Sequence, residues 1–287
     1  VVWWALNATG GFSEIMAAPS QFEPGGKKEG QFWTTFWPSL TAMVGFWATL
    51  ALNIPDFTRF ARSQRDQFVG QSIGLPLPMA LLALMSVIVT AATVVLFGQA
   101  IWDPVELAGR FSGIAVLLAL FFLTLDTMCC NLAANLVGPA YDFSNLSPRR
   151  ISYRTGALIT AGIALLAMPW KILASTDGYI FTWLIGYSAL LGPVAGIMLA
   201  DYLLIRRREL DTEDLYKEGG RYSYRGGWNP VAFIALIAGV LPNLPGFLKA
   251  AGFVASVPAF LNTIYAYAWF VGLFIAAAVY LGLTRRT

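Results

Sequence analysis

Residues 112–138 read SGIAVLLALFFLTLDTMCCNLAANLVG, an apolar run with a polar centre. A helix needs about 20 predominantly apolar residues to cross a bilayer, so this stretch alone predicts a membrane span. Over the whole chain of 287 residues, 57% are hydrophobic and only 12% are charged. Soluble globular domains carry about 25% charged residues. The sequence therefore predicts an all-α polytopic membrane protein.

Eight stretches are apolar enough for membrane spans. They lie at roughly 1–19, 33–54, 73–98, 112–138, 156–173, 178–204, 230–248 and 262–283. Because they leave no room for a soluble domain, we expect one transmembrane domain over residues 1–287, with a polar loop at 205–229. The chain begins with apolar residues and no initiator Met, so we also expect it to start inside a span.

The basic residues are distributed unequally between alternate loops. One set of loops contains 14 Lys and Arg residues, whereas the other set contains five. Loops rich in Lys and Arg stay on the cytoplasmic side of a membrane. We therefore expect a multi-pass protein of the cytoplasmic (inner) cell membrane, with its C-terminus in the cytoplasm.

Several kinds of chemistry are excluded or disfavoured. The chain contains no His, which removes His-based catalysis, metal ligation and pH switching. Its two cysteines, Cys129 and Cys130, are adjacent and lie in an apolar run, so they predict neither a disulfide framework nor a metal site. We expect no catalytic residue, cofactor, metal or nucleic-acid partner, and the oligomeric state is not indicated.

The centre of the span at 112–138 contains a polar stripe. At 100° per residue, Thr124, Thr127, Asn131 and Asn135 fall on one face of a helix. Asn side chains both donate and accept hydrogen bonds, which suits the amide edges of heterocycles such as uracil or hydantoin. The alternative is that both asparagines bond to neighbouring helices without contacting a substrate.

Asp126 points to a different face of the same helix, together with Cys129 and Cys130. A polar group at bilayer depth is costly and marks a transport pathway in many membrane proteins. Small residues on this face would also permit close approach of another helix. Asp126 therefore predicts either a functional carboxylate or a buried ion pair with a cation elsewhere in the protein.

Two other spans contain residues that weaken a helix. Gly45 and Pro55 favour an interruption in the span at 33–54, and Trp47 beside it offers a flat ring for stacking on a planar heterocycle. Gly192 and Pro193 similarly predict a bending element that would suit a gate. The alternatives are lipid-facing or core packing for Trp47 and a static, tightly packed kink for the Gly-Pro pair.

Three longer motifs carry a family resemblance. They are WATLALNIPDFTRFAR at 47–62 with GQSIGLP at 70–76, NLAANLVGPAY at 131–141, and GPVAGIMLADYLLIRR at 192–207 with DLY at 214–216. In these segments the chain resembles the nucleobase:cation symporter-1 family, the permeases for cytosine, uracil, purines, allantoin and hydantoins. The resemblance covers essentially the whole chain.

This resemblance implies a leucine-transporter-like fold, in which the first ten of twelve helices form two inverted repeats. The eight spans would match helices 5 to 12, with helices 1 to 4 missing. The tryptophan that stacks on the substrate in that family falls on Trp47. The asparagine that hydrogen-bonds the ring falls on Asn135, and Asn131 lies one turn away.

The same resemblance raises a question about the coupling ion. Sodium-coupled members bind the ion through a backbone carbonyl and two hydroxyl side chains, whose positions here are Asp126, Cys129 and Cys130. Sodium prefers hard oxygen ligands, and thiols are poor substitutes. We therefore expect Asp126 to take over coupling as a proton carrier or an anionic ligand, with the choice between H⁺ and Na⁺ undecided.

The sequence thus favours a symporter that moves a nucleobase-like heterocycle by alternating access. A transport-inactive membrane scaffold is an alternative, and a channel or an intramembrane enzyme is a weaker one. The substrate among uracil, cytosine, purines, allantoin and hydantoin is not indicated.

Overall fold

The computed structural model describes residues 1–172, 178–217, 219–224 and 226–284, and these residues are mainly helical. The α-helices in this part of the chain are α1 (Val2–Thr9), α2 (Phe12–Met16), α3 (Phe32–Thr58), α4 (Gln64–Gly74), α5 (Pro76–Phe97), α6 (Pro104–Ala108), α7 (Ile114–Asn131), α8 (Val137–Leu146), α9 (Tyr153–Leu166), α10 (Pro169–Ile172), α11 (Ile185–Leu199), α12 (Pro230–Val240), α13 (Leu244–Ala250), α14 (Ala259–Ala266) and α15 (Ala268–Thr284). Shorter π-helical turns lie at Leu132–Leu136, Gly178–Leu184 and Ala200–Ile205, and 3-10 turns at Asp214–Tyr216 and Leu241–Asn243.

Among the described residues, four continuous helical stretches are long and apolar enough to cross a membrane. They are Gln64–Phe97, Ile114–Leu146, Thr182–Ile205 and Pro230–Ala250. The number rises to six if α3 and the bent pair of α14 and α15 each count as one span. The prediction of an all-helical, multi-pass membrane protein is therefore confirmed. The segments predicted as spans at 1–19 and 156–173, however, contain only shorter helices among their described residues.

Helix boundaries follow local sequence signals. Ser63, Asp103 and Asn229 each accept a hydrogen bond from a backbone N–H of the helix that follows, at the starts of α4, α6 and α12. Such side chains satisfy amide groups that have no partner inside the helix. Pro104 and Pro230 then occupy first-turn positions, where proline sacrifices no helical hydrogen bond.

The chain divides into two compact units. Unit 1 comprises residues 1–30 and 55–163, and unit 2 comprises residues 31–54 and 164–287. In unit 1, α1 and α2 pack against α5 through the buried residues Ala5, Ile15 and Ala92. The prediction of a single domain stays a prediction.

Unit 2 is built around the close packing of α11 against α15. Its apolar core contains Ala42, Leu184, Ile185, Ala189, Tyr265 and Ala268. A Cβ atom added at Gly192 would lie 2.5 Å from the carbonyl oxygen of Trp269, and one at Gly196 would lie 2.2 Å from that of Leu273. Glycines four residues apart therefore let the two backbones touch, as in many membrane helix pairs.

The break between α14 and α15 bends the chain by 86°. A break leaves backbone carbonyl groups without helical partners. Here the hydroxyl of Thr41 donates to the carbonyl oxygen of Ala266, the last residue of α14, at 2.7 Å. The Nδ2 group of Asn243 makes a longer contact of 3.4 Å with the carbonyl oxygen of Ala268, the first residue of α15. Both side chains are fully buried, so α3 and the turn before α13 hold the break in place.

The polar loop predicted at 205–229 consists mainly of turns where the structure describes it. Arg225, Arg285 and Arg286, three of the basic residues in the orientation count, lie outside the described residues.

Candidate functional site

The polar stripe in unit 1 crosses a change of helix type. α7 ends at Asn131, and Leu132–Leu136 form a π-helical turn before α8 begins at Val137. Single π turns inside α-helices occur frequently at functional sites. The Nδ2 group of Asn135, which lies in the π turn, donates a hydrogen bond to Oδ1 of Asn131 at 2.6 Å. The structure therefore brings the two predicted asparagines together as one amide pair.

This pair still has hydrogen-bonding capacity for a ligand. The Nδ2 group of Asn131 keeps both of its protons, and Oδ1 of Asn135 keeps its lone pairs. A donor and an acceptor thus lie side by side at the π turn. This arrangement matches the alternating C=O and N–H groups along the edge of a cyclic amide.

The polar stripe lies on an exposed face of its helix. Thr124 and Thr127 are exposed, and their hydroxyl groups donate to the carbonyl oxygens of Leu120 and Leu123, both at 2.7 Å. Asn131 and Asn135 are exposed as well. Because exposed polar groups at bilayer depth are costly in contact with lipid, we assign this face to the protein interior or a water-filled pathway.

Asp126 and Cys130 form a second contact on α7. The Sγ atom of Cys130 donates to Oδ1 of Asp126 at 3.7 Å, and both Cys129 and Cys130 are exposed free thiols. Within the described ranges, no Lys or Arg forms an ion pair with Asp126. The same ranges contain no group of three or more His, Cys, Asp or Glu side chains that could hold a metal ion.

The carboxylate of Asp126 also lines a cavity of about 730 Å³ within unit 1. The cavity is largely apolar, with walls that include Trp3, Trp102, Phe111 and Phe122. An apolar environment disfavours an isolated ionised carboxylate. Asp126, which is exposed, is therefore a charged residue in the lining of a mainly apolar cavity.

Trp47 lies on α3 in unit 2. It is half-buried and packs edge to face against Phe46, with the ring centroids 5.4 Å apart. It also lines a cavity of about 450 Å³ together with Met43, Val44, Ala48 and Trp269. One part of the Trp47 side chain is thus packed, while another part faces open, apolar space.

The two helix-weakening residues of α3 have different surroundings. Gly45 is buried inside the helix, and a Cβ atom there would lie 2.0 Å from Oγ of Ser188. Gly45 therefore permits contact between α3 and α11. Pro55 follows a bend of 46° between Leu50 and Leu52. Proline cannot donate to the carbonyl four residues earlier, which accounts for a bend at that point.

Gly192 and Pro193 lie in the middle of α11 and are buried. The ring of Pro193 is held between two glycines, since a Cβ atom at Gly239 would lie 2.9 Å from its Cβ and one at Gly272 would lie 2.6 Å from its Cδ. These contacts show close packing of α11 with α12 and α15. The gating role of the pair stays a prediction.

One polar cluster in unit 2 was not predicted from the sequence. Asp201 accepts hydrogen bonds from the hydroxyl of Tyr280 at 2.8 Å and from Nε of Arg206 at 2.5 Å. Asp201 and Arg206 are five positions apart, a spacing that places them on different faces of an α-helix. The π-helical turn Ala200–Ile205, with its i to i+5 bonding, brings them together. The only sequence signal was the presence of an acidic residue, Asp201, near the end of an apolar span.

Comparison with known proteins decides the family. The model of a family described as "Permease for cytosine/purines, uracil, thiamine, allantoin" matches residues 1–272. The chain belongs to this family. The predicted membership of the nucleobase:cation symporter-1 permeases is confirmed, and with it the prediction of a transporter family instead of an enzyme family.

Two curated members of the family illustrate the similarity. A purine-uracil permease of Arabidopsis thaliana is 43% identical over 96% of this chain and 46% of its own length. An allantoin permease of Bacillus subtilis is 44% identical over 99% of this chain and 56% of its own length. The chain therefore spans about half the length of the curated relatives that it matches.

A solved structure shows the fold of the family. The inward-facing conformation of Mhp1 matches 99% of this chain and 58% of its own chain, with a TM-score of 0.65 and 26% sequence identity. The predicted leucine-transporter-like fold is thereby confirmed.

Proposed function

We propose that the protein is a secondary active transporter that carries a nucleobase or a related heterocycle across the cytoplasmic membrane together with a cation, by alternating access. The observation that carries this proposal is the Asn131–Asn135 amide pair at the π turn. Its exposed polar face lies in the middle of a membrane span, where polar groups mark transport pathways.

The substrate class follows from the chemistry of the pair. Uracil, cytosine, purines, allantoin and hydantoin present N–H donors beside C=O or ring-nitrogen acceptors. The donor on Asn131 and the acceptor on Asn135 can bond to such an edge. The names of the two relatives, a purine-uracil permease and an allantoin permease, describe ring compounds of this class.

Trp47 supplies the proposed second element of recognition. Its indole ring borders open space on one side and is supported by Phe46 on another. A supported ring loses little entropy when a planar heterocycle stacks on it, and aromatic stacking contributes about 0.5–1.5 kcal/mol beyond buried area. As the family resemblance implies, we propose that Trp47 stacks on the face of the substrate ring.

Asp126 is the proposed coupling residue. Its carboxylate has the thiol of Cys130 as its hydrogen-bond donor. The family resemblance implies that Cys129 and Cys130 stand where sodium-coupled members carry hydroxyl side chains. Thiols bind sodium poorly, which favours a proton over a sodium ion at this site. Sodium bound mainly by the carboxylate is the second candidate.

Uptake by the full-length protein tests the proposal. The protein would be expressed in cells that lack nucleobase and allantoin carriers, and uptake of each radiolabelled heterocycle would be measured with the other four as competitors. We expect saturable uptake of at least one, and its loss in Asn135→Ala but not in Asn145→Ala, an exposed asparagine on α8. Equal uptake by Asn135→Ala would contradict the assigned site, and no uptake at all would favour the scaffold alternative.

A further inference from the structure

Another cavity lies in unit 2, and its lining includes none of the residues assigned to transport. It has a volume of about 700 Å³ and lies where α11 ends and α12 begins, beside the C-terminal end of α15. We call it the basic cavity. Its polar lining consists mainly of Arg206, Arg221, Tyr224, Asn229 and Tyr280.

One wall of the basic cavity is a fixed hydrogen-bond network. Arg206 forms an ion pair with Asp201, donates from Nη2 to the hydroxyl of Tyr224 at 2.9 Å, and has its guanidinium carbon 4.4 Å from the centre of the Tyr222 ring. Burial lowers the pKa of Arg206, but the hydrogen bond and the charge of Asp201 outweigh this effect and raise the pKa above its usual value. Arg206 therefore stays charged, and its charge offsets that of Asp201.

Arg221 is different, because its charge is not offset. Its backbone N–H donates to Oδ2 of Asp214 at 3.1 Å, which fixes the loop. Its guanidinium group forms no ion pair or side-chain hydrogen bond with the rest of the described chain. With Asp201 and Arg206 neutralising each other, the basic cavity carries one net positive charge.

The cavity also has an unused hydroxyl donor for an anion. The hydroxyl of Tyr224 accepts a hydrogen bond from Arg206 and so keeps its own proton for a ligand. Arg207 and Arg208 follow Arg206 in the chain, but they are exposed and do not line the cavity.

The position of the cavity indicates the depth of a lipid headgroup. The spans Thr182–Ile205 and Pro230–Ala250 end and begin at its rim. Ile205 and Val231 supply half-buried apolar walls there. Trp228, next to Asn229, is 64% exposed. Exposed tryptophans concentrate at the boundary between the hydrocarbon core and water.

We infer that the basic cavity binds the phosphate group of an anionic phospholipid, with Arg221 as its ion-pair partner, the Tyr224 hydroxyl as a donor, and acyl chains along Ile205 and Val231. Basic pockets between membrane helices on the cytoplasmic side are suited to such headgroups. A free phosphate would use the charge but not the apolar walls. A zwitterionic lipid would use the walls but would bring no net charge to Arg221.

Lipid binding can be measured without transport. The full-length protein would be delipidated in neutral detergent and titrated with phosphatidylglycerol, with phosphatidylethanolamine as the zwitterionic control and inorganic phosphate as the control without acyl chains. Native mass spectrometry would count bound lipids, and the shift of the unfolding temperature would give the affinity. We expect one tightly retained phosphatidylglycerol and a stabilisation that neither control reproduces.

Variants locate the site. Arg221→Gln should bind phosphatidylglycerol about tenfold more weakly, since it loses a charged hydrogen bond. Arg221→Lys should lose less, because it keeps the charge. Arg208→Gln is the matched control in the same loop and should bind nearly as the wild type. Equal binding by Arg221→Gln and the wild type, equal stabilisation by phosphatidylethanolamine, or equal stabilisation by inorganic phosphate would each overturn the inference.

Discussion

Gly45 and Ser188 bring α3 and α11 into direct contact in unit 2. A Cβ atom at Gly45 would lie 2.0 Å from Oγ of Ser188 and 2.6 Å from the carbonyl oxygen of Leu184. The Ser188 hydroxyl is itself fixed, because its single proton lies between two carbonyl acceptors, those of Thr41 and Leu184, each 2.9 Å from Oγ. Separation of the two helices would break the bond between Ser188 and Thr41.

The first prediction follows from this contact. Gly45→Ala should destabilise the protein by about 1–3 kcal/mol, the usual effect of overpacking a close-packed core. Thermal unfolding of the full-length protein in detergent measures it. Gly282→Ala on α15 is the control, since a Cβ atom there meets nothing within 4 Å. An unfolding temperature for Gly45→Ala equal to that of Gly282→Ala would contradict the packing described here.

The second prediction concerns the cluster at the end of α11. Tyr280→Phe removes the 2.8 Å hydrogen bond to Asp201 and the acceptor of the Asn229 Nδ2 group. Loss of a hydrogen bond to a charged group should lower stability by about 1.5–3 kcal/mol. Tyr202→Phe, on an exposed side chain nearby, should change stability little. The idea fails if both variants unfold at the wild-type temperature.

The third prediction concerns Trp47. Trp47→Ala should raise the KM for heterocycle uptake about tenfold or abolish uptake, because it removes the proposed stacking surface. Trp33 on the same helix is 63% exposed, and Trp33→Ala should transport nearly as the wild type. Initial uptake rates over a range of substrate concentrations, normalised to the amount of protein in the membrane, provide the comparison. A similar loss in both variants would point to helix packing instead of stacking.

The fourth prediction concerns Asp126 and the coupling ion. If the carboxylate carries the coupling proton, uptake should follow the imposed pH gradient, and Asp126→Asn should lose this dependence. Uptake would be measured with a pH gradient, with a sodium gradient and with neither. Asp142→Asn, on α8 of the same span, is the control. Uptake that does not depend on the pH gradient, and that Asp126→Asn leaves unchanged, would rule out proton coupling through Asp126.

Much of the fold could be predicted from the sequence, because membrane spans depend on length and hydropathy alone. The polar stripe was also predictable up to Asn131, since α7 keeps the 100° period that far. The π turn at Leu132–Leu136 was not predictable, because no residue type specifies a π-helical turn in advance. Asn135 nevertheless stays beside Asn131, since four residues are close to one turn in either helix type.

The Asp201–Arg206 pair escaped prediction for the same reason. Its spacing of five residues fits a π turn and not an α-helix. The role of Gly45 in packing could not be predicted either. From the sequence alone, a glycine can indicate a weak point in a helix or a close contact with another helix, and only the structure shows its neighbours. Sequence patterns thus located the polar residues, and helix type and tertiary contacts determined their partners.

The most direct test of the central claim is accumulation of a heterocycle by proteoliposomes that contain the purified full-length protein. Uracil, cytosine, a purine, allantoin and hydantoin would each be supplied outside, with an inward proton or sodium gradient imposed and then abolished by an ionophore. The account predicts gradient-dependent accumulation of at least one of them above protein-free liposomes. Folded protein that accumulates none of the five under either gradient would contradict it.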